Sequence, residues 1–405
     1  MSVRQRRVSY GDAVYENRSL HIVVMVGLPA RGKTYMAKKL TRYLNWVGIK
    51  TKVFNNGDYV RKITRQCSDH NFFRPENEEA SMLRKKCSVD AITDIVRWLQ
   101  EEHGRVAVFD ATNTTRDRRR MIHQIVEKQL TCKLFFIESI CDDAQLVEAN
   151  IKEVKVNGPD YKGVKPEKAL ADFLQRIEHY KRIYEPLDEE KEKYLSYMKI
   201  YNTGEKVLVH KHKGHVQAKI VYYLMHIHIS KRSIYFSRLK VWTSWMQRTI
   251  QTCRDINAPT ERWKALNEID AVSSVINVYH MSLFRYRRGE SYEDLVARLE
   301  PVIMELERES NVLVVAHQAV LRCLLAYFRD IATDELPYIE VPLHTVIKLT
   351  PAAYGCDIEY VHLDVPSVNT HRGKPQVPGD LNTAPLPIVN VEIPQTYQPT
   401  FRQSL

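Results

Sequence analysis

The chain has 405 residues, 44% of them hydrophobic and 27% charged, which is ample for two buried cores in an ordinary globular balance. Its net charge of +11 fits an anionic partner. The basic residues form no tract interleaved with aromatics, and no helix-turn-helix or finger pattern occurs, so small phosphorylated ligands or a solvated basic surface explain the charge without nucleic acid. No apolar run is long enough for a bilayer and none follows the basic start Met1–Arg7, so no membrane partner is expected. Seven cysteines without paired or metal-ligand spacing point to a reducing, cytoplasmic setting.

In chain order, residues 1–18 read as a flexible tail. Residues 19–230 alternate apolar runs with helical periodicity. Strands are expected at Leu20–Val26, Thr51–Asn55, Arg105–Asp110, Lys133–Glu138 and Leu195–Tyr201, and helices at Tyr35–Trp46, Glu78–Leu99 and Lys168–Tyr184. This alternation predicts an α/β domain built on a mostly parallel sheet covered on both faces. A second alternation, residues 231–365, has strands at Ser233–Phe236, Val241–Thr243 and Asn311–Ala316, with helices at Ser291–Glu309 and Gln318–Tyr327. Residues 366–405 hold seven of the seventeen prolines and little periodicity, which reads as a disordered tail.

Gly27-Leu28-Pro29-Ala30-Arg31-Gly32-Lys33-Thr34 fits G-x-x-x-x-G-K-[ST], between an apolar strand and an amphipathic helix. In that setting, glycines let amide groups curl around phosphate oxygens and the helix start adds positive dipole. Lys33 can reach the β- and γ-phosphates, and the Thr34 hydroxyl can ligate Mg²⁺. Asp110 ends the run Val106–Asp110, where it can enter the metal shell or accept a hydroxyl proton; residue order does not separate the two roles. Arg61, Arg84, Arg116, Arg118, Arg119, Lys155 and Arg176 are candidate cations for the migrating phosphoryl group or a phosphorylated acceptor. The loop alone does not choose between ATPase, GTPase and small-molecule kinase.

The wider text narrows this. Residues 26–34, 40–46, 108–116, 135–139, 264–271 and 299–307 closely resemble the 6-phosphofructo-2-kinase/fructose-2,6-bisphosphatase family. The resemblance implies a P-loop kinase domain, then a histidine-phosphatase (phosphoglycerate-mutase-like) α/β domain. It implies ATP and Mg²⁺ as cofactors, fructose 6-phosphate as acceptor, and fructose 2,6-bisphosphate, a regulator of glycolysis, as product. On it, ATP is held by Gly27 to Thr34 with Asn150 and Lys155. Lys33, Asp110 and Cys141 sit at the reacting end, and Thr34 and Asp110 serve the metal. The sugar phosphate falls to Arg61, Arg84, Thr112, Arg118, Lys155, Arg176 and Tyr180. Where the family has two adjacent arginines, this chain has Val60-Arg61, so weaker sugar-phosphate affinity is expected.

The second half departs further. The family's nucleophilic histidine sits in an Arg-His-Gly motif, yet here Arg238 runs straight into Leu239-Lys-Val-Trp-Thr-Ser244. The resemblance leaves Arg238, Glu268, Tyr292, His317, Gln318 and Arg322 as remnants, unable to form a phosphohistidine. The family's Gly-Val-Cys-Glu-Glu block is replaced by Val272–Leu283. Two segments that resemble parallel strands are fused without a crossover, so a depleted or poorly packed second sheet is expected, with dimerisation or regulation as the remaining use of that half. Arg6-Arg7-Val8-Ser9 fits a basophilic protein-kinase site at Ser9. A sugar-phosphate 2-kinase is the leading reading; a bifunctional kinase/phosphatase and a non-catalytic nucleotide-binding scaffold are its alternatives, and a homodimer is an open option.

Overall fold

The computed structural model describes residues 19–64, 70–152, 159–161, 164–227, 239–269, 289–309, 311–351, 355–366 and 371. All of these lie in one unit, Met1–Arg372. The first half begins with β1 (Leu20–Val26), α1 (Lys33–Trp46), β2 (Thr51–Asn55) and α2 (Asn56–Thr64). It continues through α3 (Glu78–Glu101), β3 (Val106–Asp110), α4 (Arg116–Gln129), β4 (Cys132–Ile140), α5 (Ala144–Asn150) and α6 (Pro166–Ile183). It closes with β5 (Tyr197–Tyr201), β6 (Lys206–His210) and α7 (Gly214–His226). The sheet order is β2-β3-β1-β4-β5-β6, with only the β5–β6 pair antiparallel.

Burial on both faces explains why β1 reads as an unbroken apolar run. Val23 and Met25 point into a cluster with Leu40, Tyr43 and Leu44 of α1, while Ile22, Val24 and Val26 point to Ala91, Ile92 and Ile95 of α3 and Ile122 of α4. Helix starts follow local capping. The Asn77 side chain accepts from the Ala80 amide at 3.0 Å to open α3, and Thr115 accepts from the Arg118 amide at 3.3 Å to open α4.

The second half contributes β7 (Lys240–Thr243), α8 (Gln247–Thr252), β8 (Thr260–Arg262), α9 (Tyr292–Arg308), β9 (Val312–Val315) and α10 (Gln318–Arg329). An antiparallel hairpin, β10 (Thr345–Pro351) with β11 (Cys356–His362), follows. Helix α9 opens on a capping box, Ser291 and Asp294 each accepting from the other's amide.

Among the described residues the second sheet has three parallel strands in the order β8-β7-β9. It is not poorly packed. Val241, Trp242 and Thr243 are fully buried, and Trp242, Leu299, Val320 and Tyr327 belong to the same cluster as Val23, Leu40 and Tyr43 of the first half. So short a sheet buries little surface by itself and is completed by borrowing a core. The expected strand Ser233–Phe236, Arg238, the 272–283 replacement, Ser9 and Lys155 lie outside the described residues.

Candidate active site

The phosphate loop joins β1 to α1. Gly27 has φ +129°, and a Cβ there would stand 2.5 Å from the Ser139 carbonyl oxygen, so this position requires glycine. Gly32, with φ +75°, caps α1 in the left-handed region, and Ala30 also takes a positive φ of 59°. Arg31 staples the loop from behind, donating from Nε to the Cys141 carbonyl at 2.9 Å and from Nη1 to the Pro29 carbonyl at 3.0 Å. Asn150 donates to the Ala30 carbonyl at 3.3 Å, and Ser139 donates to the Arg31 carbonyl. Lys33 Nζ reaches the Leu28 carbonyl at 2.5 Å, which holds the ammonium at the loop. Thr34 follows in the first turn of α1.

Asp110 ends β3 and is 4% exposed; parallel registry places it opposite Asn55, whose Nδ2 donates to Asp110 Oδ2 at 2.6 Å. Asn55 was not foreseen from the residue order. Its signal was positional, a strand end next to the aspartate's strand. The Thr112 carbonyl accepts from the Gly27 amide at 2.9 Å, tying the loop after β3 to the phosphate loop. Cys141 lies in a small apolar cluster with Ala30, Val147 and Ile151, and burial pushes its thiol pKa up.

The candidate cations separate by partner. Arg119 is fully buried and bidentate to Glu192, with both bonds at 2.7 Å, and also donates to the Asn113 and Glu185 carbonyls. Arg116 lies 3.5 Å from Glu185. Arg119 is spent within the fold, while Arg116 also keeps a buried Nε without a hydrogen-bond partner. Arg61 is held by Asp58 and, at 2.7 Å, by Asp160. Val60 itself is buried on the inner side of α2.

Arg84, Arg118 and Arg176 differ. They come from α3, α4 and α6 and interact electrostatically with one another or with Tyr180: Arg118 with Tyr180 and Arg84, and Arg84 with Tyr180 and Arg176. Burial lowers the pKa of both Arg118 and Arg84, and their like charges add to it. Arg118 Nη1 and Arg176 Nε are buried without a hydrogen-bond partner. Arg176 stacks 3.7 Å over the Phe73 ring and reaches Asp160 at 3.5 Å; Arg84 donates to the Phe72 carbonyl. Phe73 and Asp160, which shape this cluster, were also missed, because nothing local marks them.

The profile of 6-phosphofructo-2-kinase matches residues 10–231, and that of the histidine phosphatase superfamily (branch 1) matches residues 277–364. A Gallus gallus 6-phosphofructo-2-kinase/fructose-2,6-bisphosphatase is 49% identical over 411 residues, covering 88% of this chain and 87% of its own. The enzyme 1 forms of Rattus norvegicus and Homo sapiens are each 49% identical, over 93% and 88% of this chain and 91% and 87% of their own. This chain belongs to the 6-phosphofructo-2-kinase/fructose-2,6-bisphosphatase family.

The residues expected as phosphatase remnants come together in part. His317 Nδ1 accepts from Arg248 Nε at 3.1 Å and Nη2 at 2.9 Å. A guanidinium has no acceptor, so the ring proton sits on Nε2, which donates to Ser244 Oγ at 2.9 Å. Ser244 also accepts from the Met246 amide at 3.1 Å and shares a 2.7 Å bond with Thr249. Burial, then the charges of Arg248 and Arg298, lowers the His317 pKa to about 4. Glu268 Oε2 stands 3.7 Å from His317 Nδ1, and burial raises the Glu268 pKa. Arg322 donates from Nε to the Ile339 carbonyl at 2.9 Å and from Nη1 to the Tyr292 hydroxyl at 3.2 Å. Gln318 opens α10 beside His317. Arg248 and Ser244 were missed; both lie just past the carboxyl end of β7, where ligand-facing groups of parallel sheets gather.

Proposed function

We propose that this chain transfers the terminal phosphoryl group of ATP to the 2-hydroxyl of fructose 6-phosphate, giving fructose 2,6-bisphosphate, and that its second half has no bisphosphatase activity. One observation carries the kinase reading: Arg84, Arg118 and Arg176 gather near Tyr180, and Arg118 Nη1 and Arg176 Nε are buried without a hydrogen-bond partner. Buried cations gathered this way call for an anionic ligand, and a phosphate already on the acceptor supplies it. The amides of Gly27–Thr34 cradle the nucleotide phosphates, Lys33 bridges toward the migrating group, and Thr112 and Tyr180 border the sugar.

The hard oxygens of Thr34 and Asp110 suit Mg²⁺, which takes few protein ligands and draws the rest from nucleotide phosphates and water. When bound, it neutralises developing phosphate charge. Asp110, oriented by Asn55, serves that ion or accepts the hydroxyl proton. Seven cysteines without paired or metal-ligand spacing support a reducing cytoplasmic setting.

Loss of the phosphatase is supported by the missing Arg-His-Gly and by a family match that begins at residue 277, downstream of Arg238. Incubation with ATP, Mg²⁺ and fructose 6-phosphate should yield an acid-labile bisphosphate. ATP binding without that product would reject the reading. Labelled fructose 2,6-bisphosphate should leave the protein unlabelled, whereas a phosphohistidine would restore the bifunctional alternative. Phosphorylation at Ser9 and homodimerisation are further proposals from the sequence. Unchanged kinetics after stoichiometric Ser9 phosphorylation would dismiss the first, and a monomeric mass in solution would dismiss the second.

A further inference from the structure

Helix α1 carries Lys33 and Thr34 in its first turn and a polar, aromatic row behind them. Lys39, Arg42, Tyr43 and Trp46 recur at spacings of three and four, so they share a face. That face is buried: their exposures are 5%, 8%, 0% and 2%. Its cover comes largely from the second half. Lys39 Nζ pairs with Glu307 Oε2 of α9, and Arg42 Nη2 lies 3.3 Å from the other carboxylate oxygen. The Tyr327 hydroxyl of α10 donates to Glu307 Oε1 at 2.7 Å, and the Tyr223 hydroxyl of α7 lies 2.8 Å from it. Arg42 sits 4.7 Å over the Tyr327 ring. Tyr43 stacks on Tyr223 at 4.2 Å and donates to Glu300, and Trp46 Nε1 donates to the Cys323 carbonyl at 2.9 Å.

An apolar helix face tolerates several rotations about its axis. A buried carboxylate shared by two cations and a hydroxyl tolerates one, because any other leaves desolvated charge. Six residues, about 9 Å of rigid helix, separate Lys39 from Lys33. We propose that the second half is retained as a clamp on the nucleotide-binding helix, with Glu307 the positioning residue that fixes the rotation of α1 and so the aim of Lys33 and Thr34 at the phosphates. The catalytic remnants at His317 are dispensable to this role, while the charged seam is not. The inference rests on Gly27–Thr34 being the ATP site.

The test uses the full chain, a fluorescent ATP analogue, steady-state kinetics and thermal midpoints. Glu307→Gln should weaken nucleotide binding roughly 2- to 30-fold, the range of coupling through packed elements. KM for fructose 6-phosphate should move less than about 2-fold, because uniform damage would shift both substrates. The triple variant Lys39→Met/Arg42→Leu/Glu307→Leu removes the charges together and should recover the thermal midpoint without recovering nucleotide affinity. Recovery of both would make the seam merely stabilising and overturn the clamp. Should either variant fail to fold, Tyr327→Phe, which deletes one bond to Glu307, should still weaken the nucleotide about 2-fold; unchanged affinity there would equally overturn it. If the unmodified chain fails to bind the analogue, the kinase reading falls instead, so the two failures are distinguishable.

Discussion

The two halves each gather polar residues at the carboxyl ends of parallel strands, with opposite outcomes. In the first half, Arg118 and Arg176 keep buried nitrogens without partners, and burial disfavours the charges of Arg84 and Arg118. In the second, Arg248, His317, Ser244 and Thr249 form a closed chain of hydrogen bonds. The first set leaves donors waiting, as a site built for a ligand does, while the second set of groups satisfies itself. The same contrast separates neighbours within the first half: Arg119 is spent on Glu192, and Arg118, one residue earlier, is not.

Five measurements can break or sharpen this contrast. The largest effect is expected from Glu192→Ala, which strands Arg119 in the core and should cost about 3–5 kcal/mol in urea unfolding. A loss below ~1 kcal/mol would mean that water replaces the pair. Next, Lys33→Met should lower turnover at least ~10²-fold, the scale of one lost electrostatic stabiliser; near-normal turnover would contradict its role. Arg118→Ala and Arg84→Ala should each raise KM for fructose 6-phosphate roughly 10- to 100-fold, as for a charge-assisted hydrogen bond, and spare ATP binding. Equal loss of both substrates would remove them from the acceptor site.

The fourth concerns pH. His317 and His21 are each lowered from 6.5 to about 4, first by burial and then by neighbouring cations. The folded state therefore disfavours the protonated rings. Their stabilisation is complete above about pH 6.5 and is lost as pH falls toward 4. The urea midpoint should drop across that window, and His317→Gln should make the drop shallower. An unchanged slope would place the titration elsewhere. The smallest effect is expected from Arg61→Ala, under about 3-fold on any kinetic constant, because its half-exposed guanidinium is occupied by Asp58 and Asp160.

Much of the first half was legible. β1 and β2 fall on the expected residues, and α1 and α3 extend past them by two residues at most, because apolar runs and helical periods are local signals. The edge strand β6, with no fully buried residue, and the short, exposed β8 gave no such pattern. At the site, the phosphate loop and Asp110 announced themselves by motif and strand position. The sorting of seven candidate arginines and lysines did not, since a guanidinium's role depends on which carboxylate stands opposite, and Glu192 lies 73 residues from Arg119.

The residue order by itself determined the parallel sheet, the glycine-dependent turn at Gly27 and the absence of a histidine after Arg238. Those depend on neighbours along the chain. Only the tertiary structure decided that Arg84, Arg118 and Arg176 converge, that Cys141 packs with Ala30, Val147 and Ile151, and that Glu307 meets Lys39 and Arg42 across 268 and 265 residues. Each is set by which groups burial brings together and deprives of water, a property of the folded packing and not of any local stretch.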